Sequence, residues 1–298
     1  MIMGGNAALS CPACHGCKKR LRGQKAGHGV WECRRCGALF VPTPSTSAAL
    51  HDLYDHYYEQ ARFTTPATVI ASLEVLVGSA ERFRRTGRWL DVGYGEGSLL
   101  TVAERHGWAC HGSEVSPHAL EYGRRRAWVV TPDPGGDVRF QDGAFDVVTM
   151  IELLEHVAEP TRFLAYAARW LRPGGLLYIT TPNAESLNRR VLGLSWSTVS
   201  PPEHLVLWTA VALRRALEPA GFVPFRVRTE GCNPSEILAR LRPSRSSGRP
   251  VDRNQTALTL SEALSRSPLR RAIKATLNAG LSVSRLGDTI KVWAVRAS

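Results

Sequence analysis

Three glycines at alternate positions, Gly93, Gly95 and Gly97, follow the apolar run Arg88 to Val92, and a lone acid, Glu114, closes a second such run, Trp108 to Val115. These residue types suit the capture of a nucleoside. Glycine admits backbone conformations and close approaches that a Cβ forbids, and bare amides at the start of a following helix can face a ligand. A carboxylate at a strand end can accept hydrogen bonds from both hydroxyls of a ribose. The spacing narrows the ligand further. A dinucleotide fingerprint needs G-x-G-x-x-G, but this chain has Ser98 where the third glycine would stand. The pattern is G-x-G-x-G, and no pyrophosphate is required.

A second constellation is metal chemistry. Cys11-Pro12-Ala13-Cys14 is followed after eighteen residues by Cys33-Arg34-Arg35-Cys36, which matches a paired C-x2-C zinc pattern. Four thiolates at Cys11, Cys14, Cys33 and Cys36 supply a tetrahedral structural site. A segment of about forty residues needs such a staple, because its own core is small. Disulfides are the alternative, disfavoured in a reducing cytosol. Cys14-His15-Gly16-Cys17 overlaps the first knuckle, so Cys17 or His15 stands as an alternative to Cys11. We favour Cys11, because Pro12 suits a tight knuckle and Lys18-Lys19-Arg20 follow Cys17 directly. Isolated Cys110 and Cys232 read as structural thiols.

The elements around these residues follow from pattern. Arg88 to Val92 reads as a buried strand and Ser98 to His106 as the helix after the glycine loop. Pro66 to Arg85 reads as an amphipathic helix with Val69, Leu73, Leu76 and Ala80 on one side. Strand and helix patterns then alternate through residue 230, as in a mostly parallel sheet covered on both faces. Phe222 to Thr229 and Ile290 to Val295 read as the last strands. The domain reading is a zinc ribbon over 1–41, with Gly29 to Phe40 as a hairpin, a linker and N-terminal helices over 42–88, and the main domain over 89–298. An insertion or lid occupies 231–288, with a helix over Leu258 to Leu281.

The glycine loop and Glu114 resemble the first two motifs of class I S-adenosylmethionine-dependent methyltransferases. Two further blocks extend the resemblance. Phe145-Asp146-Val147-Val148-Thr149-Met150-Ile151-Glu152-Leu153-Leu154-Glu155-His156-Val157 is similar to the fourth-strand motif, and Leu171-Arg172-Pro173-Gly174-Gly175 through Pro182-Asn183 to the turn and fifth strand. The resemblance implies an α/β fold: a mostly parallel, doubly wound, Rossmann-like seven-stranded sheet with an antiparallel C-terminal hairpin, plus the small ribbon. It also implies S-adenosylmethionine held by Asp91, Gly93, Tyr94, Gly95, Gly97 and Glu114, with Met150, Ile151 and Glu152 from the fourth-strand block. In bacterial members with an N-terminal zinc ribbon, an "LY…YY" segment closes over the cofactor, which here points to Tyr57 and Tyr58. Two departures stand out. Tyr94 occupies a position where a small residue or Cys is common, and Thr131 to Phe140 lacks the adenine-contacting acid motif, leaving Asp133 and Asp137 as the acids there.

Methyl transfer is an in-line displacement, so the acceptor must be aligned and a proton removed where it carries one. His204, in a stretch that resembles a "PEH" element of this methyltransferase group, is our preferred base. His156 is the other candidate. A small-molecule acceptor, such as a sugar or secondary metabolite bearing O or N, leads the reading. An RNA methyltransferase is the alternative, because the net charge is +12 and a basic balance favours anionic partners, yet the basic residues are dispersed and the ribbon lacks an aromatic stacking surface. A non-catalytic cofactor-binding scaffold is a third reading. The short apolar start fits no signal peptide and no stretch is long enough for a bilayer, so a cytoplasmic protein is expected, of unassigned oligomeric state.

Overall fold

The structure is a computed structural model that describes residues 10–42, 65–132, 140–241 and 268–298. Tyr57, Tyr58, Asp133 and Asp137, and the first part of the helix expected over 258–281, lie outside these residues.

Five parallel strands form most of the main sheet: β4 (Arg88–Val92), β5 (Ala109–Ser113), β6 (Val129–Thr131), β7 (Phe145–Ile151) and β8 (Leu171–Pro182). With β10 (Phe222–Glu230) and β11 (Thr289–Arg296) they make a seven-stranded sheet of order β10-β11-β8-β7-β4-β5-β6. β11 runs antiparallel between β8 and β10, so the expected C-terminal hairpin is present and one of its strands sits inside the sheet. β7 is buried on both faces, which is why it reads as an unbroken apolar run rather than an alternating one.

Helices cover both faces. Ala67–Ala80, lengthened by the 3-10 turn Glu81–Phe83, packs with Ser98–Arg105 on one side, where Leu76, Val77, Leu99, Leu100 and Trp108 surround Trp89. Leu76 and Ala80 of the expected apolar face are buried. On the other side Pro160–Trp170 buries Leu164 and Trp170 against β7 and β8, and Ala210–Leu217 buries Leu213 and Leu217 beside that helix and β10. A crossover of this kind places the C-terminal ends of β4, β5, β7 and β8 along one edge, where doubly wound sheets bind ligands.

The ribbon contributes β1 (Lys19–Lys25), β2 (His28–Cys33) and β3 (Leu39–Phe40). Its sheet takes a fourth strand from far along the chain: β9 (Val206–Leu207) pairs antiparallel with β3. The Thr209 hydroxyl joins the two units again. It donates to the Cys36 carbonyl at 2.6 Å and accepts from the Ala212 amide at 2.9 Å, capping helix Ala210–Leu217 while holding the second knuckle.

Candidate cofactor and acceptor site

Gly93, Gly95 and Gly97 all have positive φ, between 52° and 73°, the left-handed region that glycine enters without steric cost. Two of them are also crowded where a side chain would start. A Cβ on Gly97 would lie 2.6 Å from the Trp128 ring, and one on Gly93 would lie 2.9 Å from Leu153. The loop thus turns sharply out of β4 and into the helix. Glu114, at the end of the neighbouring β5, reaches across: its carboxylate accepts from the Gly95 amide at 2.9 Å and from the Val115 amide at 2.7 Å. The two parts of the first constellation are therefore one site.

Asp91 lies beneath the loop, buried, accepting from the Thr149 hydroxyl at 2.6 Å. Burial pushes its carboxyl up to about 7. A folded value above the unfolded one means that the native state holds the proton more tightly, so the stabilising contribution is complete below the unfolded pKa near 3.8 and is lost as pH rises towards 7. Thermal melts of Asp91→Asn and the parent chain, compared between pH 4 and 8, are expected to show the variant gaining by up to a few kcal/mol as pH rises, at about 1.4 kcal/mol per unit. A difference that stays constant across this range removes the buried acid as a source of pH dependence.

Tyr94 turns its side chain away from the loop edge. Its ring packs edge-on to Trp128 with centroids 6.1 Å apart, and its hydroxyl donates to the Ala119 carbonyl at 2.7 Å. Gly112 and Gly123 make the room, since a Cβ on either would lie within 3 Å of the tyrosine. Met150 is fully buried in the core, and Ile151 at the strand end is half-buried. Glu152 adopts φ 48°, a conformation uncommon outside glycine, and accepts from the Thr180 hydroxyl at 2.8 Å.

Beyond Glu152 the chain forms a second polar corner. The Glu155 carbonyl accepts from the amides of Leu205 and Val206 at 2.7 and 3.1 Å, which brings the segment after β7 against the segment carrying His204. The imidazoles of His156 and His204 meet edge-on with centroids 4.6 Å apart. His156 Nδ1 donates to the Glu203 carbonyl at 3.0 Å and His204 Nδ1 to the Thr198 carbonyl at 2.6 Å. A carbonyl only accepts, so each ring carries a proton on Nδ1. Burial, reinforced by His204, pushes His156 down to about 4, so it is a neutral imidazole at pH 7. The Glu155 side chain beside them is wholly buried, with an oxygen within 4.8 Å of both. Burial, with Glu152 nearby, raises its carboxyl well above the ordinary range. Spacing singled out the two histidines but missed Glu155 as their partner, because the carboxylate joins them only through the pairing of residues 155 and 205.

The ribbon gathers its thiols as expected. Cys11, Cys14, Cys33 and Cys36 are buried and their sulfurs lie within 4.8 Å of one another. Cys11 and Cys36 are 3.7 Å apart and Cys14 and Cys33 3.6 Å. That is too long for disulfides and close to the about 3.8 Å between thiolates on a tetrahedral zinc. Both knuckles close by the same turn, with the His15 amide donating to the Cys11 carbonyl and the Gly37 amide to the Cys33 carbonyl, each at 2.8 Å. His15 (φ 55°) thus fills the left-handed position that Gly37 (φ 76°) fills in the second knuckle. Cys17 is exposed, with its sulfur 4.0 Å from the His15 carbonyl, and is not part of the cluster. The donor set fits a zinc ion.

A family model described as a methyltransferase domain matches residues 58–226, more than half of the chain. The chain belongs to this methyltransferase-domain family. Among curated proteins, it is 37% identical over 97 residues to demethylmenaquinone methyltransferase of Tropheryma whipplei, covering 30% of this chain and 39% of that protein. It is 36% identical over 131 residues to ubiquinone biosynthesis O-methyltransferase of Parvibaculum lavamentivorans, covering 41% and 48%. The chain thus spans half or less of the length of the curated relatives it matches. Among solved structures, the [4+2]-cyclase SpnF superposes with a TM-score of 0.54 at 18% identity, over 86% of this chain and 98% of that one. A cyclase among the neighbours shows that the fold by itself does not determine the reaction. Among the described residues no helix is long and apolar enough to cross a membrane.

Proposed function

We propose that this chain transfers a methyl group from S-adenosylmethionine to an oxygen or nitrogen of a small molecule. The observation that carries the reading is the single site made by the left-handed glycines and the Glu114 carboxylate. In it the left-handed glycines turn the loop sharply out of β4, and Glu114 is placed to exchange its hold on the Gly95 amide for a ribose. We assign Asp91, Met150 and Ile151 to the walls beneath the cofactor, and Tyr94 and Glu152 to it through their backbones. We assign Cys11, Cys14, Cys33 and Cys36 to a structural zinc. When bound, S-adenosylmethionine supplies an electrophilic methyl on a sulfonium. The chain's own residues must orient the acceptor and accept its proton, and we assign that proton to His204, with the His156 ring beside it.

Sugars and other secondary metabolites fit this reading. The name of one relative, an O-methyltransferase of ubiquinone biosynthesis, favours a hydroxyl-bearing acceptor. An RNA acceptor gains little from the ribbon, since Arg20 and Arg22, its two exposed arginines on β1, both turn to Glu32 at 3.2 and 3.3 Å. Titration calorimetry with S-adenosylmethionine and S-adenosylhomocysteine tests the reading, and no binding by either overturns it. With an acceptor in hand, His204→Ala is expected to lower kcat by roughly 10²- to 10⁴-fold and leave the KM for S-adenosylmethionine unchanged. A kcat near the parent value would take His204 out of the chemistry.

A further inference from the structure

The corner after β7 holds more than a pair of bases. One oxygen of the Glu155 carboxylate is occupied, accepting from the Thr181 hydroxyl at 2.8 Å. The other, Oε1, is buried with no hydrogen-bond partner and lies 3.9 Å from His156 Nε2. A buried carboxylate oxygen left without a partner costs free energy that a fold seldom leaves uncompensated. The ligating atoms of Glu155, His156 and His204 all lie within 4.8 Å of one another. Each imidazole is fixed by an Nδ1 hydrogen bond to a backbone carbonyl, the outer arrangement that orients a metal-binding histidine and presents Nε2 inward.

We propose that Glu155, His156 and His204 form a binding site for one divalent transition-metal cation. Two imidazoles and one carboxylate are the donors that such ions take when they keep further positions open. The site differs in kind from the ribbon cluster, whose four thiolates close a tetrahedron. Cation–ligand bonds of about 2.0–2.2 Å require the three side chains to draw inward slightly from their present separations of up to 4.8 Å. Resting on the methyl-transfer reading, the cation would hold an acceptor oxygen and lower its pKa, with the histidines serving as ligands instead of bases.

The test uses the full chain with its ribbon zinc in place, freed of weakly held metal by mild chelation and titrated with Co²⁺. One further equivalent of cobalt is expected to bind, with a ligand-field spectrum that lacks thiolate charge transfer. Binding is expected to weaken at least 10-fold in Glu155→Gln and in His204→Gln, the usual loss for a disrupted metal site, while zinc content and S-adenosylhomocysteine affinity persist. Proton NMR of the parent chain adds a measurement that needs no variant: the two imidazoles should show paramagnetic shifts on Co²⁺ addition. No second equivalent, equal uptake by the variants, or unshifted imidazoles would overturn the cation site. Failure to bind S-adenosylhomocysteine, with or without cobalt, would instead overturn the methyl-transfer reading.

Discussion

Cys36→Ser is expected to unfold the ribbon and lower the melting temperature of the whole chain. The ribbon's own apolar core is small, with Val30 and Leu39 on one side and Phe40 on the other, so most of its stability must come from the metal that the four buried thiols fit. Zinc binding in small thiolate modules has apparent free energies of about 10–16 kcal/mol. Burial pushes the Cys14 thiol up, a cost that a divalent cation reverses by holding thiolates. Losing one ligand removes most of this term locally. The damage spreads, because β3 pairs with Val206–Leu207 and the Val41 amide donates to the Leu205 carbonyl at 2.9 Å. A loss of roughly 3–5 kcal/mol corresponds to about 6–20 °C at 2–4 °C per kcal/mol. Bound zinc should fall from one equivalent to near zero, and limited proteolysis should cut within 10–42. The adjacent Cys17→Ser is the control and should melt like the parent. Equal melting and zinc content for Cys36→Ser would refute the structural zinc.

The second large effect concerns the donor. Glu114→Gln should weaken S-adenosylhomocysteine binding about 10- to 150-fold, the equivalent of one charged hydrogen bond of about 1.5–3 kcal/mol. Glutamine keeps the shape and one acceptor oxygen, so the Val115 amide can stay paired. It loses the charge and the second acceptor that a ribose diol needs. Melting without ligand should also fall, because the Gly95 amide loses its acceptor, so the further rise in melting temperature on adding S-adenosylhomocysteine is what separates a binding effect from a folding one. Calorimetry checks both constants. An unchanged affinity would remove Glu114 from the cofactor's reach.

How far the site could be read in advance depended on sequence distance. The glycine loop and its strand occupy Arg88 to Gly97, so their pairing with conformation is local and follows from the absence of a Cβ. The four cysteines were equally legible, because a C-x2-C pair is one turn long and two turns suffice to state the ligand set. The choice between Cys11 and the overlapping Cys17 needed more, namely the two equivalent knuckle turns that seat His15 and Gly37 in the same left-handed position. Tyr94 looked like a departure within the loop. Its reason lies at Gly112 and Gly123, whose missing side chains are the space that the ring occupies.

By itself the sequence determined the class of fold, the left-handed glycine loop and the thiolate cluster, since periodicity, glycine conformation and cysteine spacing are properties of short segments. Tertiary structure alone decided two things. β9 leaves the main domain to complete the ribbon's sheet, and Glu155 meets His156 and His204 across a backbone pairing of segments separated by fifty residues along the chain. Neither follows from pattern, because a two-residue strand carries almost no periodic signal and a buried carboxylate declares its partners only once the chain has closed around it.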